Sequence, residues 1–222
     1  MVVESARTWE LLFKDALSLI DEIMEHGTKD LHWTFGGGTA LMLRHQHRLS
    51  KDIDIFVPDP QALGYVNPRL SAKAEQICSR HEEGNNFVKL FLKSGEIDFV
   101  ASSNLTSAPY VIESLLGRDV KIETSSEIIA KKFWHRGHNI AARDLYDFAL
   151  VLEREELSLD QASVFITRHY DAIIKKIDHY SHTLEEQFNL INTISYHPSF
   201  NEVCDIVKEQ LMKYKNQNTV HP

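Results

Sequence analysis

The stretch that constrains this chain most runs from Phe35 to Pro58, F-G-G-G-T-A-L-M-L-R-H-Q-H-R-L-S-K-D-I-D-I-F-V-P. Gly36, Gly37 and Gly38 leave the backbone without Cβ atoms, so it can turn sharply and come close to a ligand. Ala40, Leu41 and Leu43 suit a short helix starting near Thr39. The free N–H groups of a helix start favour an anion such as a phosphate. A strand follows, Asp52-Ile53-Asp54-Ile55-Phe56-Val57. Alternation places Asp52 and Asp54 on one side and Ile53, Ile55 and Val57 on the other. Two adjacent carboxylates repel unless a positive charge lies between them, and a hard divalent cation is the usual solution.

Separately, three glycines are most often a loop and a D-x-D is most often a polar strand edge. Their combination at about a helix's length changes the balance. G-G-T-A-L at Gly37 to Leu41, followed by R-L-S-K-D-I-D-I-F at Arg48 to Phe56, resembles the first motif of the polymerase-β-type nucleotidyltransferase superfamily. Within it, the chain resembles the AbiEii-type family of abortive-infection toxins.

Composition sets outer bounds. The 222 residues are enough for one large domain or two small ones, and 43% hydrophobic content is ordinary for a globular chain. The opening M-V-V-E-S-A-R-T-W-E lacks an apolar run of signal length, and no stretch reaches membrane-spanning length. Two cysteines far apart, Cys78 and Cys204, fit a reducing cytoplasm and give neither a disulfide framework nor a zinc-spaced cluster. A net charge of −8 excludes a protein that coats DNA, not one with a local basic patch.

The spacing of Trp9, Leu12, Phe13, Ala16, Leu17, Leu19, Ile20 and Ile23 predicts an amphipathic helix over 5–25. Trp33-Thr34-Phe35 predicts a short strand, 69–80 a helix, and 87–92 with 96–100 a hairpin turning at Lys93-Ser94-Gly95. A last strand is predicted at 119–122. From Thr124 the pattern is helical, over 125–136, 141–153, 159–178, 183–194 and 199–214, with a polar tail at Lys215 to Thr219 expected to fray. The fold class is therefore α/β (α+β): a small mixed-sheet domain, 1–123, followed by a helical domain, 124–222. Asp98, opposite in facing to Ile97 and Phe99, is by itself a common solvent-facing polar residue. The superfamily resemblance implies a third metal-binding carboxylate on a later strand, and Asp98 stands there.

Thr124-Ser125-Ser126-Glu127 is a capping box opening a helix. At about 100° per residue, Lys132 falls inside the apolar arc of Ile128, Ile129 and Phe133, and Lys131 falls outside it. An inward lysine either snorkels or meets an anion, and the geometry leaves both open. The family resemblance, through a motif E-x-x-A-x-K matched by Glu127, Ala130 and Lys132, implies that Lys132 contacts nucleotide phosphates. Arg143-Asp144-Leu145-Tyr146-Asp147-Phe148 matches R/K-D-x-x-D-L, with Phe148 where Leu is usual. Arg143 and Asp147, four apart, can pair on a helix surface at little gain. Asp144, at the edge of the apolar stripe, is the functional candidate, and Asp147 the structural one. The resemblance covers about residues 35 to 150. Of twelve histidines, the pairs His45/His47, His135/His138 and His179/His182 lack a third ligand at metal spacing and read as solvated polar positions.

The expected activity is attack on an NTP α-phosphate with release of pyrophosphate. Asp52, Asp54 and Asp98 would hold two Mg²⁺ ions, or Mn²⁺. Gly37, Gly38, Thr39 and Ser50 would donate to the phosphates, Arg48 and Lys132 would add charge, and Asp144 would position the lysine or the acceptor. The resemblance implies an RNA acceptor, with tRNA 3′ ends a candidate, and a separate cognate antitoxin. Lys131, Arg136 and His138 form a candidate basic rim for RNA. The competing readings are transfer to a protein side chain or small molecule, and a binding protein without turnover. Three retained carboxylates argue against the last.

Overall fold

Helix α1, Thr8–His26, forms where the apolar residues recur at helical spacing, and its buried stripe is Trp9, Leu12, Phe13, Ala16, Leu19, Ile20 and Ile23. The structure, a computed structural model, describes residues 8–27, 29–155 and 159–220. Residues 5–7 of the predicted first helix lie outside the described residues.

The described residues belong to two compact units. The first comprises the chain up to Arg44, Ser50–Asn104 and Tyr110–Glu123. Its centre is a seven-stranded mixed sheet. The strands are β1 (Thr34–Gly36), β2 (Ile53–Val57), β3 (Arg80–Gly84), β4 (Phe87–Leu92), β5 (Gly95–Ala101), β6 (Tyr110–Leu115) and β7 (Arg118–Glu123), in spatial order β3-β4-β5-β2-β1-β7-β6. β2 runs antiparallel to β1 and parallel to β5, with Asp54 opposite Gly36 on one side and Asp98 on the other. One sheet face is apolar: Phe35, Ile53, Ile55, Val57, Val88, Leu90, Ile97 and Phe99 are buried, and α1 packs on β2 and β5. Phe13 meets Phe35 at 4.8 Å between ring centres. The alternate residues of β2 and β5, Asp54, Phe56 and Asp98, are half-buried on the other face.

Helix α2 spans Gly37–His45 and α3 Ala72–Ile77. The predicted helix over 69–80 is thus shorter. Ser71 caps it, and Cys78, already extended, ends it before β3. β3 and β6 are two strands that periodicity did not show. β3 is almost all polar, R-H-E-E-G, because it is an edge strand with both faces open.

The second unit comprises His45–Leu49, Leu105–Pro109 and the chain from Thr124 onward. Its helices are α4 (Ser125–Arg136), α5 (Ala142–Glu155), α6 (Ser163–Ile166), α7 (Tyr170–His179), α8 (Ser181–Asn189) and α9 (Phe200–Val220). The predicted helix over 159–178 is broken between α6 and α7, where Thr167 caps onto Ser163. α8 stops at Asn189, and 190–198 is irregular. The tail predicted to fray continues α9 through Val220. α5 is the core helix: Leu145, Tyr146, Phe148, Ala149, Leu150 and Val151 are all buried. The segment 45–49 is tied to the far end of this unit by Leu49 N–H to Asn192 O, Ile194 N–H to His47 O and a bridge between Arg48 and Thr193. Gln46, at φ 52°, takes the left-handed turn out of α2. No helix among the described residues is long and apolar enough to cross a membrane.

Candidate active site

In the first unit the glycine turn and two carboxylates form one constellation. Gly37 has φ +70°, and a Cβ there would stand 1.8 Å from Asp54 Oδ2. No side chain is tolerated: the backbone is left-handed and the space is already taken by a carboxylate. The N–H groups of Gly37 and Gly38 open α2. Thr39 is fully buried, its hydroxyl 2.6 Å from Asp52 O and 3.1 Å from Ser50 Oγ. Ser50 N–H points at Met42 Sδ at 3.2 Å. Thr39 and Ser50 therefore pin the loop that leads into β2.

Parallel pairing of β2 with β5 puts Asp54 directly beside Asp98. Lys89, on β4, approaches Asp98 Oδ2 at 3.0 Å and Glu96 Oε2 at 2.9 Å. Asp98 Oδ1 is buried and has no hydrogen-bond partner. Burial, and next the charge of Asp54, push the Asp98 carboxyl up to about 6. A buried oxygen without a donor beside a second carboxylate is the arrangement a hard divalent cation satisfies. Asp54 and Asp98 fit such an ion. Asp52 lies just before β2, so strand alternation does not reach it, and its Oδ1 accepts the Glu96 N–H at 3.2 Å. Among the described residues no three His, Cys, Asp or Glu side chains cluster closely enough to hold a metal. The carboxylates that the strand register sets side by side are thus Asp54 and Asp98, while Asp52 precedes the strand and accepts the Glu96 N–H.

The second unit contains a buried charge network. Asp144 and Asp147 are fully buried on α5. Lys132 Nζ reaches Asp144 Oδ1 at 2.7 Å and Asp147 Oδ2 at 2.9 Å. Arg48 donates twice to Asp147, Nε to Oδ1 and Nη2 to Oδ2, each at 2.7 Å. His47 Nε2 lies 3.0 Å from Asp147 Oδ1. Arg136 Nη2 and the Ala141 N–H complete Asp144 at 3.0 and 3.3 Å. Burial alone would raise both carboxyls. For Asp147, Arg48 and Lys132 outweigh it and hold the group well below its ordinary value. For Asp144, Lys132 and Arg136 do the same. Burial pushes the His47 imidazole below its ordinary value, against the pull of Asp147. Its Nε2 carries the hydrogen, and Nδ1 is buried without a partner.

Glu127 caps less than the sequence pattern predicts and anchors more. Thr124 Oγ1 accepts the Glu127 N–H at 3.3 Å. The Glu127 carboxylate holds the 105–109 loop, accepting from Leu105 N–H at 2.9 Å, Thr106 N–H at 2.8 Å and Thr106 Oγ1 at 2.7 Å. Lys131 Nζ lies 3.4 Å from the same carboxylate and is only 3% exposed. A cleft of about 420 Å³ opens among Arg48, Leu49, Arg143, Gln187, Leu190 and Asn192.

A model of the family described as nucleotidyl transferase AbiEii toxin, type IV TA system, matches residues 18–202. The chain belongs to the AbiEii family. It is a nucleotidyltransferase, and AbiEii enzymes are toxins of type IV toxin–antitoxin systems. Such membership implies a nucleotide substrate and a cognate antitoxin. Among solved structures, one described as "putative nucleotidyltransferase from H. pylori" matches with a TM-score of 0.52 at 14% identity, covering 99% of each chain. JHP933 from Helicobacter pylori gives a TM-score of 0.46 at 14% identity, over 93% of this chain and 94% of that one. At such identity the first match bears on the fold alone: a mixed α/β architecture similar to nucleotidyltransferase structures. No curated protein matches the chain.

Set on the AbiEii framework, the residues singled out from sequence divide in two. Gly37, Gly38, Thr39, Ser50, Asp52, Asp54 and Asp98 lie in the first unit; Arg48, Lys132 and Asp144 lie in the second. Arg48 is engaged by Asp147 and Leu49 O. Lys131, placed outside the apolar arc by the wheel, is buried, so the basic rim loses it; Arg136 and His138 are exposed. Asp147, given a structural reading, is the hub of the network. Sequence reasoning missed His47 as a buried member, and Lys89 and Glu96 beside Asp98. The alternation of β4 against β5, which sets Lys89 opposite Asp98, was a usable signal for the lysine. For His47 there was none, since its partner Asp147 is 100 residues away.

Proposed function

We propose that this AbiEii enzyme transfers a nucleoside monophosphate from an NTP to an acceptor hydroxyl on RNA, with a tRNA 3′ end the candidate acceptor, and depends on Mg²⁺ or Mn²⁺. The observation that carries this reading is the Asp54–Asp98 pair, side by side on parallel strands, with Asp98 Oδ1 buried and unsatisfied. Asp54 and Asp98 would hold the cation, and Asp52 would join them by leaving the Glu96 N–H. A bound divalent cation supplies charge neutralisation of the phosphates and a more acidic acceptor hydroxyl. Gly37 and Gly38 offer N–H groups to phosphate oxygens at the start of α2, where the absence of Cβ allows close approach. Lys89 keeps Asp98 oriented through Oδ2 and leaves Oδ1 free to ligate.

In the second unit Lys132 remains the candidate for phosphate contact. An ammonium has three donors, and Asp144 and Asp147 take two. Asp144 is then a positioning residue for the lysine. The test is incubation with each α-labelled NTP, Mg²⁺ and total cellular RNA or protein. Label in RNA that requires both Asp54 and the divalent ion supports the reading. Label confined to protein replaces RNA by a side-chain acceptor, and no label from any NTP removes the transfer reaction.

A further inference from the structure

The sheet face that carries Asp54 and Asp98 has a second recess, further along the same strands. Pairing of Thr34 with Phe56, and of Phe35 with Ile122, puts Thr34, Phe56 and Lys121 on that face. Phe56 is two residues beyond Asp54 and Pro58 four beyond, roughly 7 and 13 Å at about 3.3 Å per residue. The recess has a volume of about 110 Å³ and is walled by His32, Trp33, Ser102, Asn104, Tyr110 and Lys121.

Its charge is one-sided. Lys121 Nζ is 3.2 Å from His32 Nδ1 and 5.2 Å from the centre of the Tyr110 ring. Among the described residues these are its partners, and no carboxylate pairs with it. The ammonium is open to solvent, with an imidazole and an aromatic ring beside it and, among the described residues, no counter-charge. Lysine can only donate, so His32 Nδ1 is the acceptor in this contact. The recess therefore presents the Lys121 ammonium, the His32 ring and the Asn104 amide. None of its described lining residues is acidic. Glu123, on the same face two residues from Lys121, has its Oε1 engaged by Thr34 Oγ1 at 2.7 Å and its Oε2 against Gly36.

We propose that this recess binds the phosphate group of a phosphate ester. Its volume takes one phosphate and is well below the roughly 300 Å³ at which pockets for whole small molecules begin. The rest of such a ligand lies outside, where Ile112, the cross-strand partner of Lys121, is 63% exposed. Two sources share this chemistry: a phosphodiester of a single RNA strand, and a free phosphate or mononucleotide. The inference does not depend on which acceptor the enzyme modifies, since it concerns a site away from the Asp54–Asp98 pair.

The test uses the full chain, chelator and no NTP, so that no transfer occurs. Binding of inorganic phosphate and of AMP is measured by calorimetry, and binding of a labelled single-stranded oligoribonucleotide by anisotropy. The variants are Lys121→Met, Lys121→Glu and, as the milder change, His32→Ala, each checked for an unchanged unfolding midpoint. The expected result is binding of at least one probe, weakened about tenfold by Lys121→Met, a loss of about 1.4 kcal/mol. For the oligonucleotide, the slope of log K against log salt should shrink by about 0.7. Loss confined to the oligonucleotide assigns the strand phosphate; loss for phosphate and AMP as well assigns any phosphate. If a Lys121 variant is misfolded, weakened binding by His32→Ala stands in for it. Equal binding by the parent and all folded variants, or no binding of any probe, overturns the proposal. Labelling of RNA or protein by Lys121→Met with NTP is scored separately, so a failed acceptor assignment is not mistaken for a failed phosphate site.

Discussion

Arg48 and Asp147 stand 99 residues apart in sequence and meet through two parallel hydrogen bonds of 2.7 Å, both groups inside the second unit. Two-point contact between a guanidinium and a carboxylate is the strongest geometry such a pair can take. It makes Arg48 a strut for the segment 45–49, which immediately precedes the loop into β2.

Arg48→Ala should therefore act on stability. Breaking a buried pair typically costs roughly 3–5 kcal/mol, and the remaining contact of Asp147 with Lys132 favours the lower end. Arg48→Lys should recover little, because an ammonium cannot make the fork contact. Urea unfolding of the three proteins measures this. Wild-type stability in Arg48→Ala, with a raised KM for NTP, would return the residue to phosphate binding.

Asp54→Asn and Asp98→Asn should each abolish transfer while leaving the metal-free protein as stable as the parent or more so. Each removes one member of a repelling pair and no packing. Asp52→Asn should lower transfer as well, because Asp52 joins the cation site by leaving the Glu96 N–H. Transfer rates with Mg²⁺ and melting in EDTA are the two measurements; equal loss at all three positions would show that Asp52 swings in to ligate.

Gly37→Ala should eliminate transfer and lower the melting temperature. The backbone at φ +70° disfavours alanine, and its Cβ would collide with Asp54 Oδ2. Gly38→Ala, at a position without positive φ, is the control and should melt close to the parent.

Acid should unfold the second unit in two stages. The folded value of His47 is below its ordinary 6.5, so below 6.5 the unfolded chain binds a proton that the folded one excludes. Stability then falls as pH drops through that window. Asp144 and Asp147, held below 3.8, give a contribution that is complete above 3.8 and lost as pH falls through their folded values. His47→Asn should flatten the first stage and leave the second. Unfolding free energy measured from pH 8 to pH 3 separates them.

Much of the first unit was legible in sequence for local reasons. A left-handed glycine, a two-residue alternation and a tight hairpin all act over a few residues, and Gly37 and Asp54 were singled out that way; Asp98 was singled out by the superfamily resemblance, since its facing alone reads as solvent-exposed. Alternation was extended to Asp52, which lies one residue before the start of the strand. The second unit hid its logic for the opposite reason. Glu127 looks like half of a capping box, yet its carboxylate serves Leu105 and Thr106, about twenty residues back, and draws Lys131 inward with it. A helical wheel ranks a lysine by its angle and has no knowledge of a distant carboxylate. β6 was missed because Val111, Ile112 and Glu113 are all exposed and carry no alternation.

The segment 45–49 also bears on how this toxin comes into being. Its backbone partners, Asn192, Thr193 and Ile194, lie far later in the chain and leave the ribosome well after it. Until they emerge, Arg48 has no strand to lie against, so the segment 45–49 is held only after Ile194 has been made. A growing chain thus carries Asp54 and Asp98 before the segment 45–49 has its backbone partners. A chain ending before Asn192 should show no transfer, and activity restored by adding residues 124–222 in trans would indicate that the anchor can be supplied late.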